Sequence, residues 1–306
     1  MNLPTPHYEK LIATLENEKL PPCDQIHIKE CIKKYKEWVK SMQEVTGANT
    51  DEVVAKMVTL LNEYRLYLDV EVIFDREEDF LYQQKGQTKL DNSVIEEFLP
   101  HLVAKTVMHG RDTTGIALGP NTTFSSIYFA SSLDAPTIGG GLTVRTKDQD
   151  FAVGKCVYVQ ASHDSNFSSV LPKTFYLGYV VAECKTNLDK TMFQEAVATA
   201  HDAKSAVTGA KYYLLCEWLD MTPQSTAPTD IDEVIILRKQ KRMSSNIRAA
   251  FGTWEGRKKG REAFVKFLKD NPFSPEMFAR FVKHLSGLLG TQEQPEENSV
   301  LIKGYF

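Results

Sequence analysis

Apolar residues recur every three or four positions between residues 28 and 42, at Ile28, Cys31, Ile32, Tyr35, Trp38, Val39 and Met42. That spacing predicts an amphipathic helix with one buried stripe. Residues 50–68 repeat it with Val53, Met57, Leu60, Leu61, Tyr64 and Leu68. The polar run 85–92 reads as a loop. Ser93 followed by Glu96 is a capping-box pattern, which opens a helix running past Pro100 to about residue 107. Pro100 kinks that helix or ends its first part. The first 109 residues are therefore expected to form a helical region.

After Gly110 the texture changes. Gly, Thr and Ser increase, and short β-forming runs appear at 125–129, 142–145, 151–160, 174–185 and 212–219. Between the last two lies an Ala-rich helix over 189–207, opened by Asp189 and Thr191 and ended by Gly209. Residues 230–238 add a further short strand. The expected fold class is α/β, a mixed sheet flanked by helices across residues 110–237. From Ser244 the chain reads mostly helical, with a break at 271–275, so residues 238–306 form a third, C-terminal region. No internal repeat is present.

Composition narrows the classes. With 306 residues, 42% hydrophobic and 25% charged, the chain is an ordinary globular protein of about two domains, neither fibrous nor disordered. No apolar run approaches the ~18 residues of a membrane span. The N-terminal stretch carries acids where a signal peptide needs an apolar segment, so a cytoplasmic protein is expected. Five scattered cysteines without a CxxC pair fit reduced thiols rather than disulfides or zinc.

The net charge of −4 hides an uneven distribution. Residues 1–100 carry 12 basic and 19 acidic side chains, whereas residues 201–306 carry 16 and 13. Residues 238–261 hold nine Lys or Arg and one acid, Glu255. A basic block of this density in an acidic chain points to a polyanion partner. Arg238, Lys239, Lys241, Arg242, Arg257, Lys258, Lys259 and Arg261 are its expected phosphate contacts. A charge run is also commonly just a solvated face.

The informative chemistry lies in residues 173–196. Bulky β-formers at Phe175, Tyr176, Tyr179, Val180 and Val181 lead to Glu183 and Lys185, two apart and so on one face of a strand. Ala182 and Cys184 then face the opposite way, into packing. A carboxylate can anchor Mg²⁺, a hard cation that keeps several waters, and a lysine beside it can stabilise charge on phosphoryl oxygens. One carboxylate is too few. Asp148 and Asp150, at the mouth of the strand beginning at Phe151, supply candidates for the second. Asp150 is preferred because it abuts the strand, Asp148 is the reserve, and Asp164 is a weaker third. Glu-x-Lys at a strand end is often only a solvated pair. What gives it weight here is the apolar strand before it, the helix after it and the acids on the preceding strand.

The run ECKTNLDKTMFQEA, residues 183–196, resembles the active-site segment of restriction endonucleases with the PD-(D/E)xK nuclease fold, and most closely the Bpu-ten-I-like family. KDQDFAVGKCVYVQAS, KYYLLCEWLDMTP and GPNTTFSSIYFASS resemble that family too, so the likeness spans about residues 119–221. It implies a type II enzyme of bacteria that cleaves double-stranded DNA with Mg²⁺, leaving 5′-phosphate and 3′-hydroxyl ends. It maps the acid-x-lysine pair onto Glu183 and Lys185, and the first acid onto Asp150 or Asp148; no literal Pro-Asp precedes the strand. Asp150 and Glu183 are the implied Mg²⁺ ligands. A duplex has two strands and the chain offers one such site, so a second subunit, identical or homologous, is implied. The rival readings are a repair or junction-processing nuclease of the same fold, and a non-catalytic DNA-binding subunit.

Overall fold

A computed structural model of the protein describes residues 3–289 and 301–302. Helices α1 (Pro6–Leu15), α2 (Pro22–Glu44) and α3 (Thr50–Tyr67) come first, and α3 runs on into a π-helical segment, Leu68–Phe74. The stripes expected on α2 and α3 are where the burial is: Ile28, Cys31, Tyr35, Trp38 and Met42 on one, Met57, Leu61 and Tyr64 on the other. Trp38 and Tyr64 stack with ring centroids 4.6 Å apart, which locks the two stripes together.

Residues 85–88, expected in a loop, instead close helix α4 (Phe80–Thr88). The helix buries only Leu81, so no apolar period marks it. Lys89 ends it at φ 51°, in the left-handed conformation that usually selects glycine. Helix α5 (Ser93–Thr106) runs through Pro100 unbroken. The capping box is not used: Asn92 occupies the cap without a side-chain cap bond, and its amide reaches Glu96 instead. Ser93 is bonded by His7 at 2.9 Å, within a buried cluster. There Tyr64 bonds the other His7 nitrogen at 2.7 Å, the His7 amide donates to Glu97 at 2.9 Å, and the Tyr35 hydroxyl donates to Glu97. Burial drives the His7 pKa down to about 3 and pushes Glu97 up to about 7. Polar groups so deep survive only because they are mutually satisfied, and here they fasten α1 to α5.

The sheet has the order β1-β2-β3-β4-β5: β1 (Ile116–Phe129), β2 (Leu142–Ala161), β3 (Leu171–Leu188), β4 (Lys211–Leu219) and β5 (Glu233–Ile236). The first three strands are antiparallel neighbours and the last three are parallel, so the sheet is mixed, as expected. The two short runs at 142–145 and 151–160 are one long strand, β2. Gly119, at φ +115°, lies where a Cβ would collide with Pro4 and Pro100, which brings the β1 backbone hard against α5.

Alternation along β3 sorts its two faces. Val180, Ala182 and Cys184 join a large core with α2, α3, α5 and α9 (Pro275–Leu289). Val181 faces the other way, with Tyr212, Leu214 and Cys216 of β4, onto α6 (Lys190–Ala206) through Phe193, Ala196, Ala200 and Ala203. Asp189 caps α6 by accepting the Met192 amide at 2.9 Å. Helix α6 is thus the crossover that parallel β3 and β4 need. Helices α7 (Ser245–Ala250) and α8 (Trp254–Asp270) close the far end. Among the described residues no helix is long and apolar enough to cross a membrane.

Candidate active site

Antiparallel pairing aligns Phe151 with Ala182, so Asp150 and Glu183 stand one step beyond that pair on adjacent strands. The Cys184 amide donates to Asp150 Oδ2 at 2.9 Å, which pins this carboxylate at the strand boundary. The Tyr212 hydroxyl donates to Glu183 Oε2 at 2.6 Å, and Lys185 Nζ lies 2.7 Å from Glu183 Oε1. All three expected residues, Asp150, Glu183 and Lys185, line one cleft of about 270 Å³. Asp148 lines it too, but it is exposed and accepts the Thr122 hydroxyl at 2.6 Å. Asp164 is absent from the cleft lining; it orders its own loop by accepting the Asn166 and Ser168 amides.

Burial, the largest influence, raises the Asp150 carboxyl above its ordinary pKa; Glu183 adds to this, while the Cys184 amide and the charges of Lys89 and Lys185 oppose it. Burial works against the Lys185 ammonium, but the bond to Glu183 and the charges of Glu183, Asp150 and Glu195 outweigh it and hold its pKa high. Lys185 is therefore a cation at neutral pH. Cys184, between the two motif residues, is buried with a thiol pKa well above the usual range, so it is packing and not a nucleophile.

Several residues here were missed or left open by the sequence. Glu96 of α5 has its pKa pushed to about 7, first by burial and then by the nearby Asp150 charge. Asn92 ties α5 to β3 by donating to Glu96 at 3.0 Å and to the Cys184 carbonyl at 3.4 Å. Lys147, one wall of the cleft, is fixed by a 2.7 Å bond to Thr199. Tyr212 was legible in principle, because β4 places it in register with Val181 and hence on the Glu183 face. Met192 and Thr199 of α6 line the cleft as well.

The basic block needs correction. Arg257 is fully buried, and its guanidinium is spent on the carbonyls of Phe74, Arg76 and Phe251 and on Asp79. Arg238 is buried as well, held by Glu217 and the Asn271 carbonyl and lying over the Phe273 ring. Neither can reach a phosphate, so both are structural residues. Lys239 pairs with Glu276, Arg242 with Asp220, and Arg261 makes a two-pronged pair with Asp75. Lys241, Lys258 and Lys259 are exposed.

Among the described residues no group of three His, Cys, Asp or Glu side chains is arranged as a metal cage. Four carboxylates line the open cleft, those of Asp91, Asp148, Asp150 and Glu183; of the two set side by side on β2 and β3, Asp150 has one oxygen engaged, by the Cys184 amide, and Glu183 has both, by Tyr212 and Lys185. Hard oxygen donors, few in number and open to water, suit Mg²⁺ and not a metal that demands a closed protein shell.

Mixed sheet, flanking helices, N-terminal helical region and a carboxylate-lysine cleft define an α/β nuclease core. The chain belongs to the Bpu10I restriction endonuclease family, whose model matches residues 87–306. It is similar in fold to a solved structure described as "native BbvCI A2B2 tetramer at low resolution", with a TM-score of 0.59 at 15% identity, over 94% of this chain and 98% of that one. No curated protein matches the sequence.

Proposed function

We propose that the protein is a type II restriction endonuclease that hydrolyses phosphodiester bonds of double-stranded DNA at a short specific sequence, with Mg²⁺ as cofactor. The observation that carries this reading is the convergence of Asp150, Glu183 and Lys185 on one cleft. Asp150 and Glu183 are the proposed Mg²⁺ ligands; the bound ion would supply a water of lowered pKa and a counter-charge for the phosphate. Tyr212 fixes the Glu183 carboxylate and the Cys184 amide fixes Asp150, so neither acid needs to reorganise. Lys185, being a cation, donates hydrogen bonds to the attacking water or to the phosphoryl oxygens and does not take a proton. Each cut consumes one water, breaks the P–O3′ bond and leaves a 5′-phosphate and a 3′-hydroxyl.

Lys239, Lys241, Arg242, Lys258, Lys259 and Arg261 remain the proposed phosphate contacts from the C-terminal region, 238–306. One site cuts one strand, so the working enzyme contains a second subunit, identical or homologous. A bacterial cytoplasm, where a restriction enzyme meets incoming DNA, is the proposed location. Digestion of a plasmid tests the whole reading. Discrete bands that need Mg²⁺ and vanish with EDTA are expected. Random or structure-specific cutting would favour a repair nuclease, and binding without cutting a non-catalytic subunit.

A further inference from the structure

A second cavity adjoins the cleft. Asp91 and Thr186 line both, so the two are continuous around these residues. Helix α4 and its C-terminal cap supply a lysine to each: Lys89 lines the catalytic cleft, and Lys85, four residues earlier, lines its neighbour. Arg242 and Arg248 stand in the second cavity and share one carboxylate, Asp220, at 3.3 and 3.8 Å. Two guanidiniums on one acid leave a surplus positive charge. Among the described residues Lys85 has an aromatic partner and no ion pair, its ammonium lying 4.7 Å from the Tyr82 ring centre. Of the two acids that line that cavity, Asp69 is already paired with buried Arg65 at 3.1 Å, and Asp91 is buried, accepts the Asn92 amide and acts on the same Arg65 charge. The lysine-bearing helix is itself anchored, because Arg257 grips the carbonyls of Phe74 and Arg76 and the Asp79 carboxylate just ahead of it.

From this we infer that the DNA backbone is led to the scissile bond along a cationic track, Lys89, Lys85, Arg242 and Arg248, which runs from the cleft over α4 to α7. The inference rests on the nuclease reading and deepens it. A phosphate backbone is the occupant that a continuous row of cations beside a phosphodiester-cleaving cleft fits. It also reassigns the basic block: Arg242 and Arg248 of the block serve together with Lys85 and Lys89 from outside it, whereas Arg238 and Arg257 serve the scaffold.

The test is the salt dependence of duplex binding by the full chain in EDTA, where cutting is stopped. A labelled mixed-sequence duplex is titrated at several salt concentrations. For the double variant Lys85→Ala/Arg248→Ala the slope of log K against log salt is expected to become shallower by about two units. The charge-keeping pair Lys85→Arg/Arg248→Lys should restore the parent slope, which a merely structural role would not. The control Lys33→Ala/Lys40→Ala, exposed lysines of α2 that line neither cavity, should leave it unchanged. An unaltered slope in the first double variant, while the parent binds and cuts, overturns the track alone. A parent that neither binds nor cuts duplex DNA overturns the nuclease reading, and the track with it.

Discussion

Asp148 and Asp150 lie two residues apart on one strand and line the same cleft, yet their surroundings differ. Asp150 is held by a main-chain amide beside Glu183, whereas Asp148 is exposed on a threonine hydroxyl. Asp150→Asn keeps the volume and removes the charge that a hard cation requires. It is expected to lower cleavage on the order of 10²-fold or more, and Asp148→Asn far less. Parallel cleavage assays and Mg²⁺ titrations of the two variants check this, and inactivity of Asp148→Asn alone would reverse the assignment. Glu97 poses a different residue-scale question. Its folded pKa of about 7 lies above the ordinary 4.5, so the folded state binds this proton more tightly than the unfolded state does. The stabilisation it brings is complete below about pH 4.5 and is lost as pH rises towards 7. Glu97→Gln removes that loss. Its stability relative to the parent should therefore improve across this window, by up to about 3 kcal/mol. Denaturant unfolding at pH 5 and pH 8 measures the change, and a difference that stays constant or moves the other way would contradict the account.

At the scale of elements, what could be read in advance was whatever alternates or repeats. Helices α2, α3 and α6 declare themselves because one face of each is apolar and buried, and strand β4 because it is a short, largely apolar run buried on both faces. The opposite faces of Glu183 and Cys184 followed from the same strand arithmetic. Helix α4 was illegible because its apolar residues are bunched at Phe80, Leu81 and Tyr82 with no three-or-four spacing, and because it ends on a lysine in a glycine's conformation. The capping box failed because Ser93 is claimed by His7, a contact 86 residues away that no local pattern encodes. Burial of Arg257 was equally hidden: in sequence it is one more member of RKK, while on α8 it points inward and its lysine neighbours point out. Arg257→Ala is thus expected to destabilise the fold by roughly 3 kcal/mol or more, through orphaned carbonyls and a lost ion pair. Lys258→Ala and Lys259→Ala should each stay within about 0.5 kcal/mol of the parent. Urea unfolding curves distinguish these outcomes. An Arg257→Ala protein of normal stability would return that residue to the list of candidate DNA contacts.

Across the whole molecule, the boundary expected near residue 109 is a change of element type and not a break in packing. One apolar cluster runs from α2, α3 and α5 through β2, β3 and β4 to α9. The carboxylates of the cleft are therefore presented by strands backed by helices from both ends of the chain. The central claim is that Glu183 and Lys185 perform chemistry rather than stabilise the end of the central strand β3. It is tested most directly by purified Glu183→Ala and Lys185→Ala proteins, assayed for plasmid cleavage with Mg²⁺ and for duplex binding in EDTA. The account predicts that each loses cleavage by on the order of 10²-fold or more while melting and binding like the parent. Near-normal cleavage by both variants would contradict it.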